Sequence, residues 1–149
     1  MKRMAEPSER EEFAALRPAL WPSDEPDALW ETELLERLVA ALPGDAALTS
    51  ALANHYSDWG RIRESVAMDR RTVELLPRSP TAWYNLACSC SLAQRAPEAV
   101  RALERAVELG FDDWTVMAED DDLEWLRERP EYGRVARLAR RGDSDGAGN

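Results

Sequence analysis

Few side chains in this sequence are of types that could do chemistry. Cys88 and Cys90 are the only cysteines. On a helix, positions i and i+2 point about 200° apart, so this pair cannot bridge without unwinding the backbone. A redox role would call for a Cys-x-x-Cys motif or a basic neighbour that lowers a thiol pKa, and the sequence offers neither. His55 is the sole histidine; a hydrolase would have one candidate base with no marked nucleophile or orienting group. The run Asp120-Asp121-Asp122, flanked by Glu119 and Glu124, is the cluster closest to a calcium or magnesium site. It lacks the alternating ligands and turn glycine of a calcium loop, and acidic residues at a helix start are stabilising in themselves. The sequence therefore predicts no catalytic residue, no cofactor and no metal, with reduced thiols packed in a core.

Charge narrows the partners. The formal net charge of −10 repels phosphate backbones and predicts no binding to nucleic acid. No run of about 18 apolar residues is present, so no membrane span is expected. Glu6, Glu9, Glu11 and Glu12 stand where a signal peptide needs an apolar stretch. The expected location is cytoplasmic, where thiols stay reduced. Six of the aromatic residues are tryptophan, and such rings serve either as anchors in packed joints or as an exposed binding face.

The elements that must position these groups all read as helices. Ser8 with Glu11 has the form of a capping box for a short helix to about Leu20, ended by Pro22 and Pro26. From Asp27 to Leu42, the stripe Trp30, Leu34, Leu35, Leu38, Val39 and Leu42 has amphipathic spacing. Asp45 caps a helix to about Trp59, closed by Gly60, and another runs from Arg61 to Leu76 before Pro77. Ser79-Pro80 opens a fifth helix reaching Gln94, and Pro97 a sixth ending at Gly110. No segment alternates with period two long enough for a strand. The expected fold class is all-α.

Sliding the sequence by 34 residues superimposes Leu52-Ala53 on Leu86-Ala87, Val66 on Val100, Glu74-Leu75 on Glu108-Leu109, and Pro43 on Pro77. Two helices in a 34-residue period resemble the tetratricopeptide repeat. Trp83, Leu86, Ala87, Cys90, Ala99 and Leu103 stand at the positions of that family's pattern, with Phe111 in place of its closing proline. The earlier repeat is looser, with Thr49 and Asp69 where aromatics are usual. Ala87 and Ala99 are expected at the closest helix–helix approach. Beyond Gly110, the segment Leu123, Leu126, Arg127, Pro130 and Tyr132 behind the aspartates is similar to the ending of many bacterial tetratricopeptide proteins. It would cover the last hairpin, as solenoid ends require.

The resemblance implies an α-solenoid of helical hairpins with helical caps at both ends. Its parts would be an N-terminal extension with a Pro-rich linker (1–27), a half-repeat helix (28–43), two repeats (44–79 and 80–111), capping helices (112–141) and a disordered tail (142–149). In this family the first helix of each hairpin lines a concave groove that holds ligands. Carried onto this sequence, that face is Ala47, Ser50, Asn54, Ser57 and Asp58, then Thr81, Tyr84, Asn85, Cys88 and Ser91, with Tyr84 as anchor. The family's carboxylate clamp is not expected: Asn54 and Asn85 match it, but Ser50, Thr115 and Glu119 replace its basic residues. The expected function is protein or peptide binding by a monomer, the partner offering a basic or neutral segment. The competing class is a module that packs on a copy of itself, and an enzyme is the third.

Overall fold

Asp45, Ser79 and Asp113 each open a helix with their own side chains. Asp45 Oδ1 accepts from the Leu48 amide at 3.0 Å, Ser79 Oγ from Ala82 at 3.2 Å, and Asp113 Oδ1 from Val116 at 3.0 Å. Each bond satisfies one donor that the first helical turn leaves without a partner. The computed structural model describes residues 27–146, with side chains from 30 to 142. In chain order these form α1 (Asp27–Ala41), α2 (Ala46–Asp58), α3 (Ile62–Leu75), α4 (Pro80–Leu92), α5 (Ala96–Glu108) and α6 (Trp114–Glu119). There follow a 3-10 turn (Asp121–Leu123), α7 (Glu124–Arg127), a second 3-10 turn (Pro130–Tyr132) and α8 (Gly133–Gly146). Among the described residues there is no strand, and no helix is long and apolar enough to cross a membrane. The short helix expected before Leu20 lies outside the described residues.

The helices stack in hairpins: α2 packs on α3 and α4 on α5, with α3 joining the two pairs and α1 lying against α2. Both hairpins close through the same hydrogen bonds. Arg61 N reaches Tyr56 O and Arg95 N reaches Cys90 O, while Gly60 N bonds Ser57 O and Gln94 N bonds Ser91 O. This turn needs a left-handed residue, supplied by Gly60 at φ 72° in the first hairpin and by Gln94 at φ 57° in the second. A side chain pays a steric penalty in that region, so the second turn is the more strained of the two.

The 34-residue correspondence seen in the sequence reappears as a packing motif. Ala53, Ala87 and Ala99 have no exposed surface. In the first hairpin, Ser65 takes the place that Ala99 holds in the second, and its hydroxyl donates to the Ala53 carbonyl at 3.0 Å. Small residues at this crossing let the helices approach, and Ser65 adds a hydrogen bond without adding bulk. Around the crossings, Val66, Leu86, Val100, Leu103 and Ala106 continue into Leu123, Leu126 and Val135, forming one core from the second hairpin into the C-terminal segment. Trp83 is half-buried and its indole N–H donates to Pro77 O at 2.9 Å, locking the joint before α4. Paired bonds of 2.7–2.9 Å join the two hairpins through Arg70 and Glu98 and tie α8 to α5 through Arg134 and Glu104. With both arginines exposed to water, solvent screening keeps these pairs weak.

The last helix departs from expectation. It runs through Gly146, into the stretch from 142 onward expected to be a disordered tail. A Cβ built on Gly142 would lie 3.0 Å from the Trp114 ring. The absent side chain thus lets the helix backbone rest on that indole, which supports the helix beyond Arg141.

Candidate functional site

Of the ten side chains expected to line a groove, the structure leaves few open, Ala47 among them. On α2, Asn54 is buried, Ser50 and Ser57 are half-buried, and Asp58 is exposed. On α4, Thr81 is exposed, whereas Tyr84, Asn85, Cys88 and Ser91 are all buried. Tyr84, expected to be the ligand anchor, is only 2 % exposed. The cause is the chain's own C-terminal segment: the first 3-10 turn and α7 pack against α4 and fill the space over it.

That covering is fastened by specific bonds. The Tyr84 ring stacks on Phe111 at 4.4 Å with an interplanar angle of 6°, and its hydroxyl donates to Asp120 Oδ2 at 2.7 Å. The Cys88 thiol points at the same oxygen at 3.9 Å. Asp120 Oδ1 accepts from the Asp122 amide at 3.1 Å, and Arg127 Nη1 donates to the carbonyls of Asp120 and Met117 at 2.8 and 3.3 Å. Burial, then the neighbouring Cys88 and Asp120, hold the Tyr84 phenol far above its ordinary pKa, so it remains a donor.

The sequence treated Cys88 and the aspartate run as separate features, and the fold brings them together. Donor atoms of Cys88, Asp120 and Asp122 lie within 4.8 Å of one another, a spacing open to a metal ion. The bonds to Asp120 give a different account of the cluster. Both carboxylate oxygens already accept from the protein, so the group works as a latch between α4 and the C-terminal segment. Cys90 is free and buried, and its burial raises the thiol pKa to about 12, which makes it an inert core residue. His55 is likewise engaged in packing. Its Nε2 lies 2.8 Å from Thr32 Oγ1, and its Nδ1 lies 3.7 Å from Glu31, at the joint of α1 and α2.

Three features remain available for recognition. At the end of α2, Trp59 is 57 % exposed, the most exposed large apolar side chain among the described residues, and Leu92 stands exposed at the end of α4. Near them in sequence, Asn54 Oδ1, Asn85 Oδ1 and Ser91 Oγ are buried without a hydrogen-bond partner among the described residues. Groups of that kind cost about 1–3 kcal/mol each when unsatisfied, and they call for an explanation.

The second feature is a notch of about 220 Å³ lined by Pro80, Thr81, Phe111, Asp112, Asp113 and Val116, at the start of α4. The third is a wider cleft of about 470 Å³ between α1 and α3, floored by Val39, Ala67 and Met68 and edged by Arg71 and Glu74. Sequence reasoning missed Trp59, Phe111 and this cleft. A tryptophan next to a helix-ending glycine reads as an anchor, and nothing local shows that its ring stays in solvent. No family model matches the chain, and no curated protein matches it either.

Proposed function

We propose that this protein is an adaptor of the tetratricopeptide type that binds a segment of a partner protein along the inner face of α2 and the exposed end of α4, and that it catalyses nothing. The observation that carries this reading is Trp59. The chain buries Trp30 and half-buries Trp83, Trp114 and Trp125, yet leaves Trp59 more than half exposed at the end of α2. Tryptophan is enriched among the residues that dominate binding energy at interfaces. With Tyr84 taken up by the latch, Trp59 replaces it as the anchor, with Ser57 and Asp58 beside it in the chain.

The test is calorimetry on an identified partner, isolated with the full chain as bait, using Trp59→Ala and, as a control on the outer surface, Arg101→Ala. Trp59→Ala should cost about 2 kcal/mol or more of binding energy, and Arg101→Ala almost nothing. Equal affinities for both variants and the parent would rule out the inner face. A second reading has its own support. Leu42 and Leu76 are 52 % and 44 % exposed, one full repeat apart, and a copy of the chain could cover them. Light scattering over a range of concentrations separates the two readings, because only self-association raises the mass.

A further inference from the structure

We propose that the notch at the start of α4 receives a single arginine side chain from the bound partner; this rests on the adaptor reading above. Its size sets the scale. At about 220 Å³ it falls below the roughly 300–1,000 Å³ of pockets that hold small molecules, and suits one side chain. Its chemistry sets the charge. Pro80, Phe111 and Val116 supply an apolar floor, Asp112 and Asp113 stand exposed at the rim, and none of the described basic residues lines it. Such a recess rejects phosphate and carboxylate groups and favours a cation on an apolar stem.

Two details choose arginine over lysine. The Phe111 ring is held in place by its 4.4 Å stack on Tyr84. That stack occupies one face, and the ring still lines the notch. A planar guanidinium gains from resting on an aromatic ring in a way a compact ammonium does not. Asp113 uses Oδ1 to cap α6 through the Val116 amide, which fixes its carboxylate in position and leaves Oδ2 for a ligand. Asp112 makes no side-chain hydrogen bond or ion pair among the described residues, so its carboxylate is available as well. A fork of N–H donors can meet two such carboxylates at once.

The test uses N-acetyl-arginine amide as probe, titrated into the full-length protein while backbone amide NMR signals are followed. Binding should be weak, with a dissociation constant on the order of 1 mM, and should move Thr81, Phe111, Asp113 and Val116. N-acetyl-citrulline amide, which keeps the shape and lacks the charge, should bind more weakly by a factor on the order of five. The variant Asp112→Asn with Asp113→Asn should show a similar loss, while asparagine preserves the helix cap. Should that variant misfold, the comparison of arginine with citrulline on the parent protein still decides.

Equal binding of citrulline would overturn the proposal. So would equal shifts along the exposed acids Asp121 and Glu124, which would show charge screening alone. Equal binding of N-acetyl-lysine amide would overturn the choice of arginine. Failure here and failure of the adaptor reading are distinguishable. Loss of partner binding in Trp59→Ala without an arginine response rejects only the notch, whereas an arginine response with partner binding untouched by Trp59→Ala rejects only the inner-face reading.

Discussion

Replacing Tyr84 with phenylalanine removes one oxygen and little else. The ring that stacks on Phe111 at 4.4 Å is retained, so the apolar packing around it should persist. What is lost is the 2.7 Å bond to Asp120, a residue only 1 % exposed. Asp120 Oδ2 would keep only the Cys88 thiol at 3.9 Å, a weak donor at long range. Hydrogen bonds to charged groups contribute about 1.5–3 kcal/mol, and the desolvated oxygen left behind makes the loss hard to recover. For a domain of roughly 120 residues the unfolding entropy is about 0.25 kcal/mol/K, so the midpoint should fall by about 6–12 °C.

The loss should also be localised. Hydrogen exchange should show α6, the first 3-10 turn and α7 losing protection, while α2 and α3 keep theirs. Combining Tyr84→Phe with Asp120→Asn should restore part of the loss, since asparagine can still cap the turn and leaves no charge stranded. A midpoint within about 2 °C of the parent, or protection lost evenly along the chain, would refute the latch.

Two further outcomes follow from the same packing. Ala87 has no exposed surface and Ala47 is exposed, so Ala87→Leu should cost about 1–3 kcal/mol by overpacking, and Ala47→Leu within about 0.5 kcal/mol. Thermal melts that fall equally for both would contradict the assignment of buried and open faces. Burial raises the Cys90 thiol to about 12, against about 8.5 in an unfolded chain, so the folded state keeps a proton that the unfolded state releases. That contribution is complete below about pH 8.5 and lost as pH rises toward 12. Melting points should therefore hold to about pH 8 and drop above it, with Cys90→Ala flattening the decline between about 9 and 10; an identical decline in that variant would count against the argument.

The helices and their pairing were legible along the chain, because those depend on neighbours close in sequence. Each cap is a side chain bonded to an amide three residues away, as at Asp45, Ser79 and Asp113. The apolar spacing within each helix and the alanines at 87 and 99 are likewise local, so the observed helices end within a residue or two of the boundaries read from the sequence for 27–110. Where the last helix ends was not legible in the same way, because the close approach of Gly142 to Trp114 joins residues 28 positions apart.

Which polar and aromatic side chains face solvent was decided only by tertiary structure. Tyr84 and Trp59 occupy the ends of similar arguments in the sequence: both are aromatic, and both belong to the first helix of a hairpin or its end. The segment after Gly110 folds back onto α4 and brings Asp120 to Tyr84 across 36 residues, while Trp59 receives no such cover among the described residues. The register of that return is set by Leu123, Leu126 and Val135 entering the shared core. A buried aspartate among three in a row, and a tyrosine withdrawn from a groove, are consequences of that docking, and no periodicity in the sequence encodes them.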